Sequence, residues 1–389
     1  MTVFARLTRS PFRRAVAAAL FLGAALLALS PARADAEPYA GKLARDIASM
    51  ERELARIETL PSDPTHQRIG HGPVLKEGSE GPRVQALTRR LQGLGYLPAG
   101  VLPADAAGSV FGPDLRAAVE RFQSSQGITP DGKAGSETIA ALDLDFAQAA
   151  AAIRATLPRL RELAASLPDD GVIVNLAAQK LILLRGGEVA LEMDTAVGRP
   201  SRPTPLLDDE ITHLILNPNW TVPPGIMAKD KLPSLRRKGN PGIANATVWL
   251  DGQVVDPASV NWAGVSPGRV RIVQSAGDHN ALGRVKFQLT NDQNIYLHDT
   301  NEPKVFARSD RAVSSGCVRL ARPMDLARTI LAGQGWTAER LDGAVAAGKT
   351  QWVRLETPVK VRFVYLTASI EGSIVRIYRD IYAMDGLGA

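Results

Sequence analysis

One cysteine and one histidine in the C-terminal half of the sequence could form a nucleophilic pair. Cys317 is the only cysteine in 389 residues, and His298 precedes it by nineteen positions. A thiol attacks as the thiolate, and a nearby imidazole commonly serves as its general base. None of the five histidines follows Cys317, which excludes arrangements with the base downstream of the thiol. The pair predicts covalent acyl chemistry, with inert packing or an intermolecular disulfide as the alternatives.

The residue before the thiol fits the same chemistry. Gly316 lets the backbone approach a substrate carbonyl closely, because glycine has no side chain. The backbone N–H groups of Gly316 and Cys317 could then form an oxyanion hole, in which each donor contributes about 3 kcal/mol to the transition state. We therefore expect an acyl-transfer site whose base, His298, ends the strand-like run "QNIYL".

The remaining histidines give no sign of a metal site. His66 and His71 lie five residues apart in the linker "LPSDPTHQRIGHGP", without a cysteine or an acidic cluster, so we expect solvated loop positions. The sequence has no HExxH motif and no glycine-rich phosphate-binding motif after a strand. We predict no metal and no cofactor.

The first 34 residues are typical of a secretory signal peptide. Four arginines precede the sixteen-residue apolar run "AVAAALFLGAALLALS", and Ala32-Arg33-Ala34 follows as a cleavage signal. The run is short for a membrane span, which needs about 20 residues, so a retained anchor is the weaker alternative. This segment carries five of the 46 basic residues and no acid, which leaves 41 basic against 40 acidic residues. The near-neutral remainder predicts no nucleic-acid partner.

Periodicity divides the rest of the chain into helical and strand-rich parts. Apolar residues recur at helical spacing from 37 to 60 and through most of 74 to 166, where Pro158 is expected to bend or break a helix. From 171 to about 320 the pattern favours strands, with a hairpin at Gly186-Gly187. Two helices and further strands returning to the sheet follow. The fold class is multidomain α+β.

A polar, basic stretch interrupts the strands. Residues 226–242, "IMAKDKLPSLRRKGNPG", are partly helical in pattern and are expected to belong to an insertion that caps the sheet. Its basic side chains either face an anionic ligand or form a solvated helix face. They are Lys229, Lys231, Arg236, Arg237 and Lys238.

Two parts of the sequence resemble known families. The segment from "LKEGSEGPRVQALTRRLQGLGYL" to "PDGKAGSETIAAL" resembles the type 1 peptidoglycan-binding domain, a three-helix unit, which implies glycan or stem-peptide binding. "HDT" and, after a short loop, "SSGCVRL" resemble the YkuD-type L,D-transpeptidase catalytic domain. The stretches "VGRPSRPTP", "LNPNWTVPPGI" and "RDIYAMD" resemble its large periplasmic, YcbB-like branch.

The second resemblance implies catalytic roles. Cys317 would attack the amide between the third stem residue and D-alanine, and an amine of a neighbouring stem would resolve the thioester to a 3→3 crosslink. His298 would act as base and then acid, oriented by the backbone carbonyl of Asp299. Arg319 would brace the catalytic loop or meet a substrate carboxylate, and Gly316 would shape that loop.

The resemblance also implies substrate contacts and one departure. Tyr296 and Trp220 would line the donor cleft, although an aromatic beside a sheet is often core. Ser314 and Ser315 would contact substrate, but Ser315 stands where the family usually has histidine, which implies reduced activity or altered specificity. A hydroxyl at this position can replace part of the hydrogen bonding.

The predicted function is a periplasmic, carbapenem-sensitive L,D-transpeptidase in peptidoglycan synthesis. Alternatives are an L,D-carboxypeptidase that uses water, a non-catalytic peptidoglycan-binding scaffold, and an enzyme that anchors outer-membrane proteins to the wall. Expected partners are stem peptides, glycan and other wall-synthesis proteins, with membrane contact only through a retained signal segment.

The predicted domains are a signal peptide (1–34), an N-terminal helix and linker (35–73), a peptidoglycan-binding domain (74–142), a helical linker (143–170), a catalytic domain (171–325, capping insertion about 222–270) and C-terminal helices and strands completing it (326–389).

Overall fold

The structure, a computed structural model, describes most of the chain after residue 36. The predicted signal peptide and His66 lie outside the described residues. The described ranges are 37–59, 68–98, 110–125, 128–143, 145–332, 334–371 and 374–387.

Two long helices pack together beside the main sheet. Helix α1 spans Tyr39–Thr59 and α5 spans Phe146–Ala165. Asp145 caps α5 by accepting the N–H groups of its first turn. Of the two outcomes expected at Pro158, a bend or a break, the break does not occur, because α5 runs through this residue. Its apolar face packs against α1 and the sheet. Among the described residues, no helix has the length and apolarity needed to cross a membrane.

Three shorter helices form the predicted three-helix module. They are α2 (Pro82–Gly93), α3 (Pro113–Ser125) and α4 (Ser136–Leu142). The three helices share one apolar core. The buried side-chain amide of Gln123, on α3, forms hydrogen bonds with the turn before α4 and with α4 itself. Its Nε2 donates to Thr138 and to the Lys133 carbonyl, and its Oε1 accepts the Gly132 N–H. This helical module, together with a mainly β remainder, confirms the predicted multidomain α+β fold class.

The main sheet has nine strands and closes on itself through a pairing of β2 with β3. Its order is β11-β3-β12-β10-β9-β4-β13-β1-β2. The enclosed side chains form the largest apolar core, covered at one end by α8 (Pro323–Leu331) and α9 (Ala338–Ala346). The strands are β1 (Gly171–Asn175), β2 (Lys180–Arg185), β3 (Glu188–Gly198), β4 (Leu207–Leu216), β9 (Val285–Leu289), β10 (Leu297–His298), β11 (Ala312–Ser314), β12 (Val318–Leu320) and β13 (Gln351–Val364).

The capping insertion has its own sheet and core. A short helix α6 (Pro224–Ile226), a π-helical turn (Met227–Lys231) and α7 (Leu232–Lys238) pack on four strands ordered β5-β8-β6-β7. Gly239 ends α7 with a φ of 65°, a left-handed conformation suited to glycine. The strands are β5 (Trp220–Thr221), β6 (Ala246–Leu250), β7 (Gln253–Val255) and β8 (Val270–Gln274).

The C-terminal strands only partly return to the main sheet. Strand β13 does so, between β4 and β1. The last two strands, β14 (Ala368–Glu371) and β15 (Ile374–Ile377), instead form a separate pair. Apolar residues of this strand pair pack into the same core as α1 and α5. Burial of these residues therefore stabilises the pair outside the main sheet.

Candidate active site

Three neighbouring strands place basic side chains in one row. His298 on β10 pairs with Arg319 on β12 and with Lys286 on β9. Residues paired across adjacent strands present their side chains on the same face of the sheet. The backbone register therefore brings these three groups together, although Lys286 was not among the predicted site residues.

The loop before β12 makes a turn that holds the thiol. Gly316 has a φ of 121°, a conformation that favours glycine, and a Cβ there would lie 3.0 Å from the end of the Ile295 side chain, which would have to shift slightly. The buried Ser314 hydroxyl donates to the Cys317 carbonyl at 2.6 Å and accepts the Gly316 N–H at 3.1 Å. In this structure the Gly316 N–H is thus donated to Ser314, and its role as an oxyanion donor stays a prediction. The Cys317 N–H remains the backbone candidate.

Burial favours the neutral forms of both reacting groups. It raises the pKa of Cys317 to about 11, against the opposing effects of Tyr296, Lys286 and Arg319. It also lowers the pKa of His298 to about 3, with the positive charge of Arg319 acting in the same direction. The Cys317 Sγ lies 3.4 Å from the Asn294 carbonyl and donates to it. At neutral pH Cys317 is therefore a thiol and His298 an uncharged imidazole, and both line the same cavity.

A backbone carbonyl orients the histidine. Nδ1 of His298 is hydrogen-bonded to the carbonyl oxygen of Asp299. A carbonyl can only accept, so Nδ1 carries the hydrogen and Nε2 keeps a free lone pair. The Asp299 carboxylate points elsewhere and accepts the N–H groups of Arg284 at 2.7 Å and Thr300 at 2.6 Å. The Asp299 side chain thus holds the loop through backbone hydrogen bonds, and only the Asp299 carbonyl is hydrogen-bonded to the imidazole.

Aromatic and cationic groups surround the thiol. Tyr296 is buried, and the centroids of its ring and the His298 ring are 5.6 Å apart. Nζ of Lys286 lies 3.8 Å from the centroid of the Tyr296 ring. Burial lowers the pKa of Lys286 and raises that of Tyr296. Arg319 donates to Glu302 at 2.8 Å, and among the described residues its buried Nε–H has no acceptor.

The serine at the departure from the family pattern contacts the capping insertion indirectly. Ser315 Oγ accepts a hydrogen bond of 3.1 Å from Arg202. The same guanidinium forms two hydrogen bonds, of 2.6 and 2.7 Å, with Asp230 in the π-helical turn. This pairing raises the pKa of Arg202 and lowers that of Asp230. Arg202 lies in the quoted run "VGRPSRPTP", but nothing in the sequence indicated its partner.

These groups line one cavity of about 410 Å³ between sheet and insertion. Seven of the predicted site residues line it, and Gly316 and Asp299 do not. The seven are Ser314, Ser315, Cys317, His298, Arg319, Tyr296 and Trp220. Of the basic residues in the insertion, for which a ligand contact and a solvated face were both open, Lys229 and Lys231 line the cavity. Arg236 instead donates to the Val265 carbonyl. Within the described ranges, no three His, Cys, Asp or Glu residues are grouped to hold a metal ion.

Comparison with known proteins identifies both parts. Residues 169–361 match the family model described as "L,D-transpeptidase catalytic domain" (YkuD), and residues 80–142 match "Putative peptidoglycan binding domain". The chain carries a YkuD-type L,D-transpeptidase catalytic domain. A "Putative L,D-transpeptidase" of Haemophilus influenzae is 38% identical over 227 residues, which cover 56% of this chain. They cover 46% of that protein, so the chain spans under half the length of this curated relative.

Solved structures of L,D-transpeptidases are more distant. The enzyme from Xylanimonas cellulosilytica (residues 123–326) is 16% identical, with 76% of this chain and 99% of that chain covered and a TM-score of 0.23. The catalytic domain of the E. faecium L,D-transpeptidase, acylated by ertapenem, is 14% identical, with 50% and 98% covered and a TM-score of 0.25. TM-scores this low carry no structural argument, so the family assignment depends on the sequence matches alone.

Proposed function

We propose that the protein is a peptidoglycan L,D-transpeptidase that forms 3→3 crosslinks through a thioester on Cys317. The observation that carries the proposal is the uncharged thiol–imidazole pair in the cavity, with Nε2 of His298 left free by the Asp299 carbonyl. The matched domain families support this reaction class.

The first half-reaction transfers an acyl group to sulfur. As the Cys317 sulfur attacks the carbonyl that joins the third stem residue to D-alanine, its proton passes to Nε2 of His298. The C–N bond breaks, and the leaving amine of D-alanine takes that proton. An imidazole whose Nδ1–H is already fixed presents Nε2 in the required tautomer. The enzyme now holds a thioester.

The second half-reaction reverses the proton path. The amine of a neighbouring stem attacks the thioester and gives a proton to His298, which returns it to the sulfur as the C–S bond breaks. Water in place of the amine would give a carboxypeptidase.

Nearby cations assist the attack. The sulfur becomes negative only as the proton moves, and at that moment Lys286 and Arg319 stabilise it in a poorly solvated site. The Arg319 Nε–H, without an acceptor among the described residues, is available to a substrate oxygen. Ser315, which stands where the family usually has histidine, accepts a hydrogen bond from Arg202. Among the cavity-lining residues described, His298 is therefore the sole imidazole.

The remaining parts of the protein fit the same function. The three-helix module would hold the enzyme on peptidoglycan, and the predicted signal peptide would deliver it to the periplasm. There it would meet other wall-synthesis proteins.

Intact-mass spectrometry tests the proposal. The protein from residue 35 onward is incubated with a carbapenem, and a Cys317→Ala variant is treated in parallel. We expect one adduct per wild-type chain and none on the variant, and muropeptide analysis should then show 3→3 crosslinked dimers. If neither protein gains mass, the scaffold alternative replaces the enzyme. An adduct with only tripeptide products identifies the carboxypeptidase.

A further inference from the structure

A second cavity, of about 420 Å³, adjoins the catalytic one. The two share Trp220, Asn294 and Tyr296 in their walls. The second cavity extends from Lys286 to Trp352 at the start of β13. The predicted reaction uses none of the side chains at its far end.

Trp352 is unusual in its exposure. Its side chain is 64% exposed, whereas Trp262 in the insertion is 3% exposed. Its ring is held edge-on against His213, with centroids 6.0 Å apart. A large aromatic ring that is fixed in place yet left open to solvent at a cavity mouth is more typical of a binding surface than of a core.

The sheet register links Trp352 directly to the catalytic row. Trp352 pairs with Ile215 on β4, Ile215 pairs with Lys286 on β9, and Lys286 pairs with His298 on β10. Paired residues share a face, so all four side chains lie on the same side of the sheet. Three strand spacings separate Trp352 from His298, a distance of about 14 Å.

This separation suits a stem peptide with its sugar. Three extended residues span at most about 11 Å. If the third residue places its carbonyl at Cys317, the sugar that bears the stem comes within reach of Trp352. The cavity walls offer complementary polar groups. The Thr350 hydroxyl donates to the Asn217 carbonyl and so presents acceptor lone pairs, and Asn219 accepts the Ala276 N–H through Oδ1 and so presents its NH2 group.

We propose that the second cavity is a saccharide subsite, in which Trp352 stacks on the apolar face of the amino sugar that carries the stem peptide. This rests on the proposed function, because the substrate chain must pass through the catalytic cavity. The ligand is a neutral hexosamine ring whose hydroxyl and acetamido groups bond Thr350 and Asn219. Trp352 acts in substrate recognition and takes no part in the chemistry.

Kinetics with two donors test the subsite. The full-length enzyme is given a stem peptide alone and the same stem on its disaccharide. We expect wild-type kcat/KM to be about tenfold higher for the disaccharide donor, and this ratio to fall towards one in Trp352→Ala. Trp352→Tyr should restore most of it. Val254→Ala, at an equally exposed position (64%) on β7, serves as the matched control and should keep the wild-type ratio.

A binding readout separates this proposal from the proposed function. All five tryptophans lie outside the peptidoglycan-binding module, so 5-fluorotryptophan signals report on the remainder of the chain. The Trp352 signal, assigned by its loss in Trp352→Phe, should shift when the peptide-free disaccharide is added. An unmoved signal together with an unchanged donor ratio overturns the subsite, even if the carbapenem adduct forms. Absence of the adduct with a shifted signal overturns only the transpeptidase.

Discussion

The main sheet and the capping insertion face each other across one cavity, but they contribute to it in different ways. The sheet supplies buried groups, His298 among them at 5% exposure, fixed by backbone pairing. The insertion supplies charges on a π-helical turn, Lys229 exposed and Asp230 partly so, and the Arg202–Asp230 ion pair joins this turn to the sheet side. The groups of the proposed reaction are held in place by backbone pairing, whereas the charges of the insertion are held by side-chain contacts that can open.

Loss of the base should have the largest effect. His298→Ala removes the acceptor for the thiol proton, and general-base catalysis typically contributes 10²–10⁴-fold, so we expect carbapenem acylation to slow about a thousandfold. Stopped-flow fluorescence or timed intact-mass spectra would measure the rate. A thermal melt close to that of the wild type is the control for folding. A variant that keeps a tenth of the wild-type rate would assign the base to another group.

The pH profile follows from the same two groups. Burial lowers the pKa of His298 to about 3 and raises that of Cys317 to about 11, so neither changes protonation near neutrality. We expect the acylation rate of the wild type to be level between about pH 5 and pH 9, because the neutral pair persists throughout. A thiolate absorbance that appears with a midpoint below pH 7 would show a preformed ion pair and contradict this picture.

An intermediate effect is expected from the cation on the sheet. Lys286→Met removes a positive charge that favours the Cys317 thiolate, while the methionine still packs on Tyr296. We expect acylation to slow about tenfold, because the thiolate that forms during the attack loses a neighbouring positive charge. Lys286→Arg is the matched control because it keeps the charge. Equal loss in both variants would mean that shape at this position matters more than charge.

The smallest effect is expected in the insertion. Asp230→Asn weakens the bond to Arg202, whose exposure is intermediate between surface and core, so the pair contributes about 1 kcal/mol or less. We expect a two- to fivefold rise in KM for the stem peptide with little change in the carbapenem rate. A double-mutant cycle with Arg202→Met measures the coupling. Should Asp230→Asn slow acylation as much as Lys286→Met, the distinction between sheet and insertion would not hold.

The sequence predicted the local features of the site better than the distant ones. His298 and Cys317 stand in a recognisable motif, and their shared cavity follows from the parallel pairing of β10 with β12. Lys286 was overlooked because "VKFQL" reads as simple alternation, and the register that sets it beside His298 depends on strands far apart in sequence. The catalytic roles of these residues stay predictions.

Long-range pairing explains the other differences. The ion pair of Arg202 with Asp230 joins residues 28 positions apart, and no local pattern specifies it. Helix α5 tolerates Pro158 because tertiary packing outweighs the loss of one hydrogen bond. The β14–β15 strands had the composition of sheet residues, but composition does not say which sheet they join.

The environment that keeps Cys317 protonated also protects it from oxidation. Peroxides and disulfides react with thiolates, so a sulfur whose pKa is raised to about 11 is attacked slowly at neutral pH. The sequence offers no second cysteine to reduce a sulfenic acid. In the proposed mechanism Cys317 becomes an anion only during the attack on substrate, so between turnovers it would stay in the form that oxidants attack slowly.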